Sequence, residues 1–135
     1  MRILALHCDE FAYAAVHASA GASEIKPASG GNEMFGSCLL LLISVEPGDE
    51  QKVRAAAKSI RRLARRLKSG TLVLNGFAHL SENLASLDTS KEVLRCLEQA
   101  VSSVDWQVYS TPFGWHKRFS LQIRADADSQ KFLHV

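Results

Sequence analysis

An α/β domain built on a mixed sheet with two main amphipathic helices is the fold class this sequence predicts, on three observations. Cys38-Leu39-Leu40-Leu41-Leu42-Ile43-Ser44-Val45 is a continuous apolar run, the pattern of a strand covered on both faces. Residues 50–69 carry an apolar stripe at three- and four-residue steps, and a second stripe follows Thr89. Short apolar segments flank both stripes, and strands interleaved with helices in this way build a partly parallel sheet. With 135 residues the chain fits one domain, 1–135, with enough length to bury a core.

Arg2-Ile3-Leu4-Ala5-Leu6-His7-Cys8 is short and apolar and is expected to form a buried first strand. Residues 9–20 fit strand and helix equally. Residues 21–36, rich in Gly, Ser, Ala and Pro, are expected to form a mobile loop. After the run ending at Val45, Pro47-Gly48-Asp49 breaks the strand and offers Asp49 as a helix N-cap. Val53, Ala56, Ala57, Ile60, Leu63, Ala64 and Leu67 form the stripe of the first helix, with Gly70 as its stop. Thr71-Leu72-Val73-Leu74 begins another buried strand and leads into Asn75-Gly76-Phe77-Ala78-His79. Thr89 and Glu92 have the spacing of a capping box, and Val93, Leu97, Ala100, Val101 and Val104 supply the second stripe. A strand near 106–111, a break at Pro112-Phe113-Gly114 and a final strand near 117–124 complete the pattern. The polar tail after about residue 125 is expected to be a linker to a further domain.

Composition narrows the function classes. A net charge of +2 gives no global pull towards nucleic acid. The three cysteines, Cys8, Cys38 and Cys96, are far apart and form no C-x-x-C, which argues against a disulfide framework or a zinc site and suits a reducing cytoplasm. No apolar run approaches the roughly 20 residues of a membrane helix, so no membrane partner is expected. There is no G-x-S-x-G elbow, Walker loop, dinucleotide fingerprint or H-E-x-x-H.

Three features are candidates for chemistry. The polar face of the first helix holds Lys52, Arg54, Lys58, Arg61, Arg62, Arg65, Arg66 and Lys68, half of the sixteen Lys and Arg residues. Such a face is either solvated or placed to neutralise phosphates, and arginine's fork favours the second use. On the last strand Phe119, Leu121 and Ile123 share one phase, and Lys117 shares it too. A lysine on a core-facing phase needs a polar or anionic partner unless it reaches water, which makes it a candidate functional cation. His79 follows an apolar strand, and strand ends are where ligands sit in α/β sheets, although a lone histidine there is more often a structural residue.

Four stretches together resemble the N-terminal editing domain of archaeal threonyl-tRNA synthetases. They are Met1-Arg2-Ile3-Leu4-Ala5-Leu6-His7-Cys8-Asp9, Ile43-Ser44-Val45-Glu46-Pro47-Gly48-Asp49-Glu50, Phe77-Ala78-His79-Leu80-Ser81-Glu82-Asn83-Leu84-Ala85 and Pro112-Phe113-Gly114-Trp115-His116-Lys117-Arg118-Phe119. The similarity runs from residue 1 to about 124, and the A-H-L-S and P-F-G-W-x-K stretches are specific in combination.

The resemblance implies a fold shared with D-aminoacyl-tRNA deacylases, a homodimer, and hydrolysis of serine wrongly esterified to threonine tRNA. It implies synthetase catalytic and anticodon-binding domains as partners, in cis or in trans, and no metal or other cofactor in the site. By matching position, Ser44 and Val45 shape the serine pocket, and Gly76, Phe77 and Ala78 supply main-chain contacts with amides near the oxyanion. Phe113 joins them in binding substrate. Lys117 organises the attacking water and the terminal ribose, and His79 holds the adenosine or its neighbours. The neighbouring 2′-hydroxyl of the tRNA assists the water. His116 stands where the family usually has tyrosine, Gln130 aligns with a tail glutamate, and Asn75-Gly76 replaces an aromatic or proline context. His116 and Gln130 are carried with the catalytic group on that alignment. Two other readings stay open: a D-aminoacyl-tRNA deacylase, and a non-catalytic tRNA-binding or dimerisation module. Charge reversal at Arg61, Arg62, Arg65 and Arg66 is expected to weaken tRNA binding and flatten its salt dependence; an unchanged slope would remove this helix from the RNA interface.

Overall fold

The computed structural model describes residues 1–19 and 32–135. Its spine is a single strand, β1 (Arg2–Ala18), which resolves the ambiguity at 9–20 in favour of strand. β2 (Asn32–Phe35) and β3 (Cys38–Ser44) run antiparallel along one edge of β1 in continuous register, from Phe11↔Phe35 to Cys8↔Cys38 and on to Arg2↔Ser44. β6 (Trp115–Ile123) and β7 (Gln130–His134) run antiparallel along the other edge. Where β6 gives way to β7, the main chain of His7 holds both, accepting from Arg124 N at 2.9 Å and donating to Ser129 O at 2.7 Å.

The rest of the sheet is parallel. β3 pairs with β4 (Thr71–Gly76), and β4 pairs with β5 (Gln107–Ser110). Parallel neighbours need long crossovers, and α1 (Val53–Leu67) and α2 (Leu87–Val101) provide them. Both helices cover one face of the sheet. Ile3, Leu39, Leu41, Ile43, Leu72 and Leu74 point into that layer and meet Ile60, Leu63, Val93 and Leu97. The alternate residues Leu6, Cys8, Phe11, Leu40, Leu42 and Val73 form a second core on the opposite face. All seven residues of β3 are buried, as its unbroken apolar run requires. The sheet curls: Phe35 on β2 meets Tyr109 on β5 with ring centroids 5.2 Å apart. Register shifts between Cys8 and Glu10 and between Ala15 and His17 bend β1 against β6, as bulges do.

Several local expectations are corrected. Of the segment expected to be a loop, residues 32–35 form β2, and the remainder up to residue 31 lies outside the described residues. Asp49 is not an N-cap. It lies buried in a 3-10 turn (Asp49–Lys52) ahead of α1, where its carboxylate accepts from Glu46 N at 2.7 Å and pairs with the Met1 ammonium at 2.7 Å. Gly70 does not stop α1. Lys68 takes the left-handed turn at φ 52°, and Ser69 N donates back to Ala64 O at 3.0 Å, closing the helix in a Schellman arrangement. α2 starts earlier than the Thr89–Glu92 pairing indicated, because Ser86 Oγ accepts from Thr89 N at 3.1 Å and is the cap. Glu92 is engaged instead by Arg95. Val104 lies beyond the end of α2 and is fully exposed, while Leu94 packs on the core in its place. The segment after residue 125 carries β7, whose polar letters hide a pairing with β1. The last strand before it starts at Trp115; Lys117, Phe119 and Ile123 are half-buried on one phase, with Leu121 exposed.

Leu41 is fully buried between the sheet and the helices, whereas Met34 is 79% exposed. Leu41→Ala is expected to cost about 2–5 kcal/mol in urea unfolding and Met34→Ala less than about 0.5 kcal/mol. Similar losses at both positions would contradict the placement of the core.

Candidate functional site

A cavity of about 310 Å³ opens where the parallel strands β3 and β4 end. Residues there have left the ladder but are still held by it, which is why ligand sites gather at such ends. Its floor is Ile43-Ser44 at the end of β3 with Val45 beyond it, and Asn75-Gly76 at the end of β4 with Phe77 beyond it. Leu84, Leu87 and Leu94 close one side from α2 and the segment before it, and Phe113, Trp115 and Lys117 close the other.

Much of the wall is main chain stitched to main chain. Phe77 N donates to Ile43 O at 2.8 Å, and Ala85 N donates to Val45 O at 2.9 Å. The Ser44 hydroxyl donates to Phe77 O and accepts from Leu80 N at 3.1 Å, so it pins both ends of the 3-10 turn Ala78–Leu80. Two residues on, Glu46 Oε1 accepts from Ser81 Oγ at 2.6 Å and from Arg2 Nε at 2.8 Å. The Ser81 bond above all holds the Glu46 carboxyl down at about 2, with the chain's ammonium and Arg2 adding to it. This carboxylate is charged across the physiological range and fastens the 77–85 segment to the end of β3.

Gly76 has a packing reason to lack a side chain. A Cβ there would sit 3.1 Å from Leu94 Cδ1 and 3.2 Å from Phe113 Cδ2, tighter than nearly all real contacts. The two side chains close over the glycine and form part of the cavity wall. Asn75 beneath it is buried and accepts a hydrogen bond from Thr111 Oγ1 at 2.6 Å, anchoring the end of β5.

Lys117 is the cation of this cavity. It is half-buried on β6 opposite Ala15, and its ammonium donates to Trp115 O at 3.2 Å. Among the described residues no carboxylate is paired with it, and burial alone lowers its pKa to about 8. A group at that value holds roughly ten ammonium ions to one free amine at pH 7.

The structure brings together Ser44, Val45, Gly76, Phe77, Ala78, His79, Phe113, His116 and Lys117 around one cavity. His79 stands at the rim, exposed, with its ring edge-on to Phe77 at 5.1 Å. His116 is exposed beside Lys117. Gln130 is not brought there. It pairs with Leu6 on β1, nine residues from Ala15, which is on the order of 30 Å along the strand. The amide of Phe77 is also unavailable as an oxyanion donor, because the parallel ladder continues past the strand and gives it to Ile43 O.

The basic face of α1 contributes no lining residue to the cavity. Arg65 lies 3.8 Å from Asp105 and 5.8 Å over the Trp106 ring, and Arg66 lies 3.4 Å from Asp128. Arg61 is half-buried, with an Nε that has no partner among the described residues, and Arg62 is exposed. Part of this face is therefore occupied by exposed pairs within the domain. Sequence reasoning missed the Glu46–Ser81 clasp and the α2 side of the cavity. Both clasp residues fall within the stretches that carry the family likeness, but neither periodicity nor spacing separates a clasp from a surface pair.

Among the described residues, no helix is long and apolar enough to cross a membrane. The family model described as the archaea-specific editing domain of threonyl-tRNA synthetase matches residues 1–134. A threonine–tRNA ligase of Staphylothermus marinus is 37% identical over 123 residues, 90% of this chain and 20% of that protein. One from Methanopyrus kandleri is 34% identical over 125 residues, again 90% of this chain and 20% of the relative. A threonine–tRNA ligase editing subunit of Aeropyrum pernix is 38% identical over 123 residues, 90% of this chain and 28% of the subunit. The chain thus spans about a fifth of the length of the ligases it matches.

Lys117 also leaves a mark on stability. Below about pH 8 it is charged in both folded and unfolded chains, and the full cost of burying the ammonium is present. Between about 8 and the ordinary 10.5 only the unfolded chain keeps the proton, so this contribution to stability rises with pH. Urea unfolding of wild type and Lys117→Met is expected to show the variant ahead at pH 7, with the gap closing towards pH 10.5. Parallel curves would mean that the ammonium is not desolvated.

Proposed function

Because this chain belongs to the archaea-specific editing-domain family of threonyl-tRNA synthetase, we propose that it removes L-serine mistakenly esterified to threonine tRNA. The observation that carries this reading is the cavity at the ends of β3 and β4. It is a small chamber of main chain and apolar side chains holding a single lysine without an ion-pair partner among the described residues.

Serine lacks one methyl of threonine, and a synthetic pocket gains only about 1–3 kcal/mol from such a group. A second chamber that takes the smaller amino acid corrects the resulting error. The Ser44–Phe77–Leu80 bonds and the Glu46–Ser81 clasp make this wall stiff, as discrimination by size demands. The Ser44 proton is already given to Phe77 O, so Ser44 Oγ meets a substrate hydroxyl only as an acceptor. Val45, Gly76 and Phe113 then set the room available to the amino acid side chain.

In the reaction, water attacks the ester carbonyl carbon, and the carbonyl oxygen gains negative charge. The bond to the ribose oxygen then breaks, that oxygen takes one of the water's protons, the other passes to solvent, and serine leaves as a carboxylate. The neighbouring ribose 2′-hydroxyl assists the water. The ammonium of Lys117 exchanges its bond to Trp115 O for the water and the terminal ribose, and its charge offsets the developing oxyanion. Ala78 opens the 3-10 turn, where the first amides lack partners inside the turn, so the amide contact assigned to this segment falls to Ala78. His79 and His116 at the rim meet the terminal adenosine. The remaining parts of a synthetase act with this domain in the same chain or in another.

Single-turnover deacylation of L-seryl- and L-threonyl-tRNA is the test. Wild type should clear serine and spare threonine, and Lys117→Ala should be slower by about 10²-fold or more. The rate should fall as pH rises through about 8, where the ammonium is lost. A folded wild type that hydrolyses neither ester is a binding module, and one that clears only D-aminoacyl esters is a deacylase of the other kind.

A further inference from the structure

Beside the first cavity lies a second of about 170 Å³, at the ends of β4 and β5. Gly76, Leu94 and Phe113 line both and form the partition between them. The two grooves thus share one wall and lie one strand apart, about 4.8 Å in the hydrogen-bonding direction, so adjacent units of one extended ligand can occupy both.

The lining of the second cavity is not that of a simple anion site. Leu74, Leu94 and Phe113 give it apolar walls, and Glu98 brings a carboxylate. Ser110 Oγ donates to Glu98 Oε2 at 2.7 Å, which fixes the carboxylate and leaves Oε1 as an acceptor. Arg95 lines the same space with its guanidinium held flat by Glu92 at 2.9 and 2.6 Å. Lys91 stands at the edge with its ammonium 5.7 Å from the Phe113 ring centroid, a loose hold that a phosphate would outcompete.

We propose that this second cavity is a subsite for the cytidine preceding the terminal adenosine of the tRNA acceptor strand. The proposal rests on the deacylase reading, which puts the terminal aminoacyl-adenosine in the first cavity. The cytosine ring packs between the apolar walls, its N4 amino group donates to Glu98, and its phosphate takes Lys91. An exocyclic amine and a carboxylate are natural partners, whereas uracil would turn the O4 acceptor of its ring towards the same carboxylate. A phosphate alone does not account for Glu98, and an apolar ligand does not account for Lys91 and Arg95.

Two uncharged RNA minihelices with the threonine acceptor stem, one ending in CCA and one in CUA, separate the outcomes in an equilibrium binding assay. Wild type should bind the CCA end roughly tenfold more tightly, the equivalent of about 1.4 kcal/mol. Glu98→Ala should bind both ends alike, and Lys91→Ala should weaken both severalfold and reduce the salt slope by about one. Equal binding of the two ends by wild type would overturn the subsite. So would a preference for CCA that survives in Glu98→Ala. A wild type that prefers CCA yet hydrolyses no seryl ester keeps the subsite and removes the hydrolase reading.

Discussion

Pairing of β1 along both of its edges is the constraint on which the rest of the structure depends. Residues 2–6 lie between β3 and β7, and residues 11–14 lie between β2 and β6. A one-residue slip of this strand would turn every side chain to the other face. Leu4, Leu6, Phe11 and Tyr13 on one face and Ile3 and Ala5 on the other are all committed to cores, so the register has no freedom. Because β1 is continuous, the half of the fold that carries the helices and the half that carries Lys117 share one strand. The bulges at Asp9 and Val16 bend that strand so that β6 turns its Trp115–Phe119 stretch towards the ends of β3 and β4.

Main-chain construction explains how this cavity keeps its shape with few polar side chains. The parallel ladder of β3 and β4 runs one residue past the strand into the bond from Phe77 to Ile43, and the Ser44 hydroxyl continues the work of the ladder beyond it. Ser44 and Glu46 alternate with Val45, which keeps its main chain for Ala85. A wall made this way has its dimensions set by backbone geometry. The proposed discrimination between amino acids that differ by one methyl would need a wall that does not yield, and side chains with free rotamers do not supply one.

On the proposed reading, Lys117 is a place where stability yields to function. An ammonium desolvated to a pKa of about 8, with only a carbonyl oxygen to receive it among the described residues, is a cost to folding at neutral pH. A carboxylate beside it would relieve that cost, and would also neutralise the charge an oxyanion requires. The same reasoning separates it from the arginines of α1, where Asp105 and Asp128 hold Arg65 and Arg66 in exposed pairs that contribute little to stability and occupy part of the basic face.

The sequence by itself determined what depends on local periodicity: the buried β3, the stripe of α1, the shared phase of Lys117 with Phe119 and Ile123, and the buried strand that begins at Thr71. Those patterns report which side of an element meets the core, because burial is a property of each residue and its near neighbours. The stretches resembling the editing domain added residues whose places around the cavity no periodicity reveals. Only the tertiary structure decided matters of partnership. Ser86 and Thr89 are both good caps by chemistry, and packing chose Ser86. β7 has no apolar alternation of its own and exists because β1 offers it an open edge, which places Gln130 far from Lys117. The Phe77 amide looks free in sequence and is spent on Ile43. Hydrogen-bond partners across tens of residues are chosen by the assembled sheet, and a linear pattern carries no record of that choice.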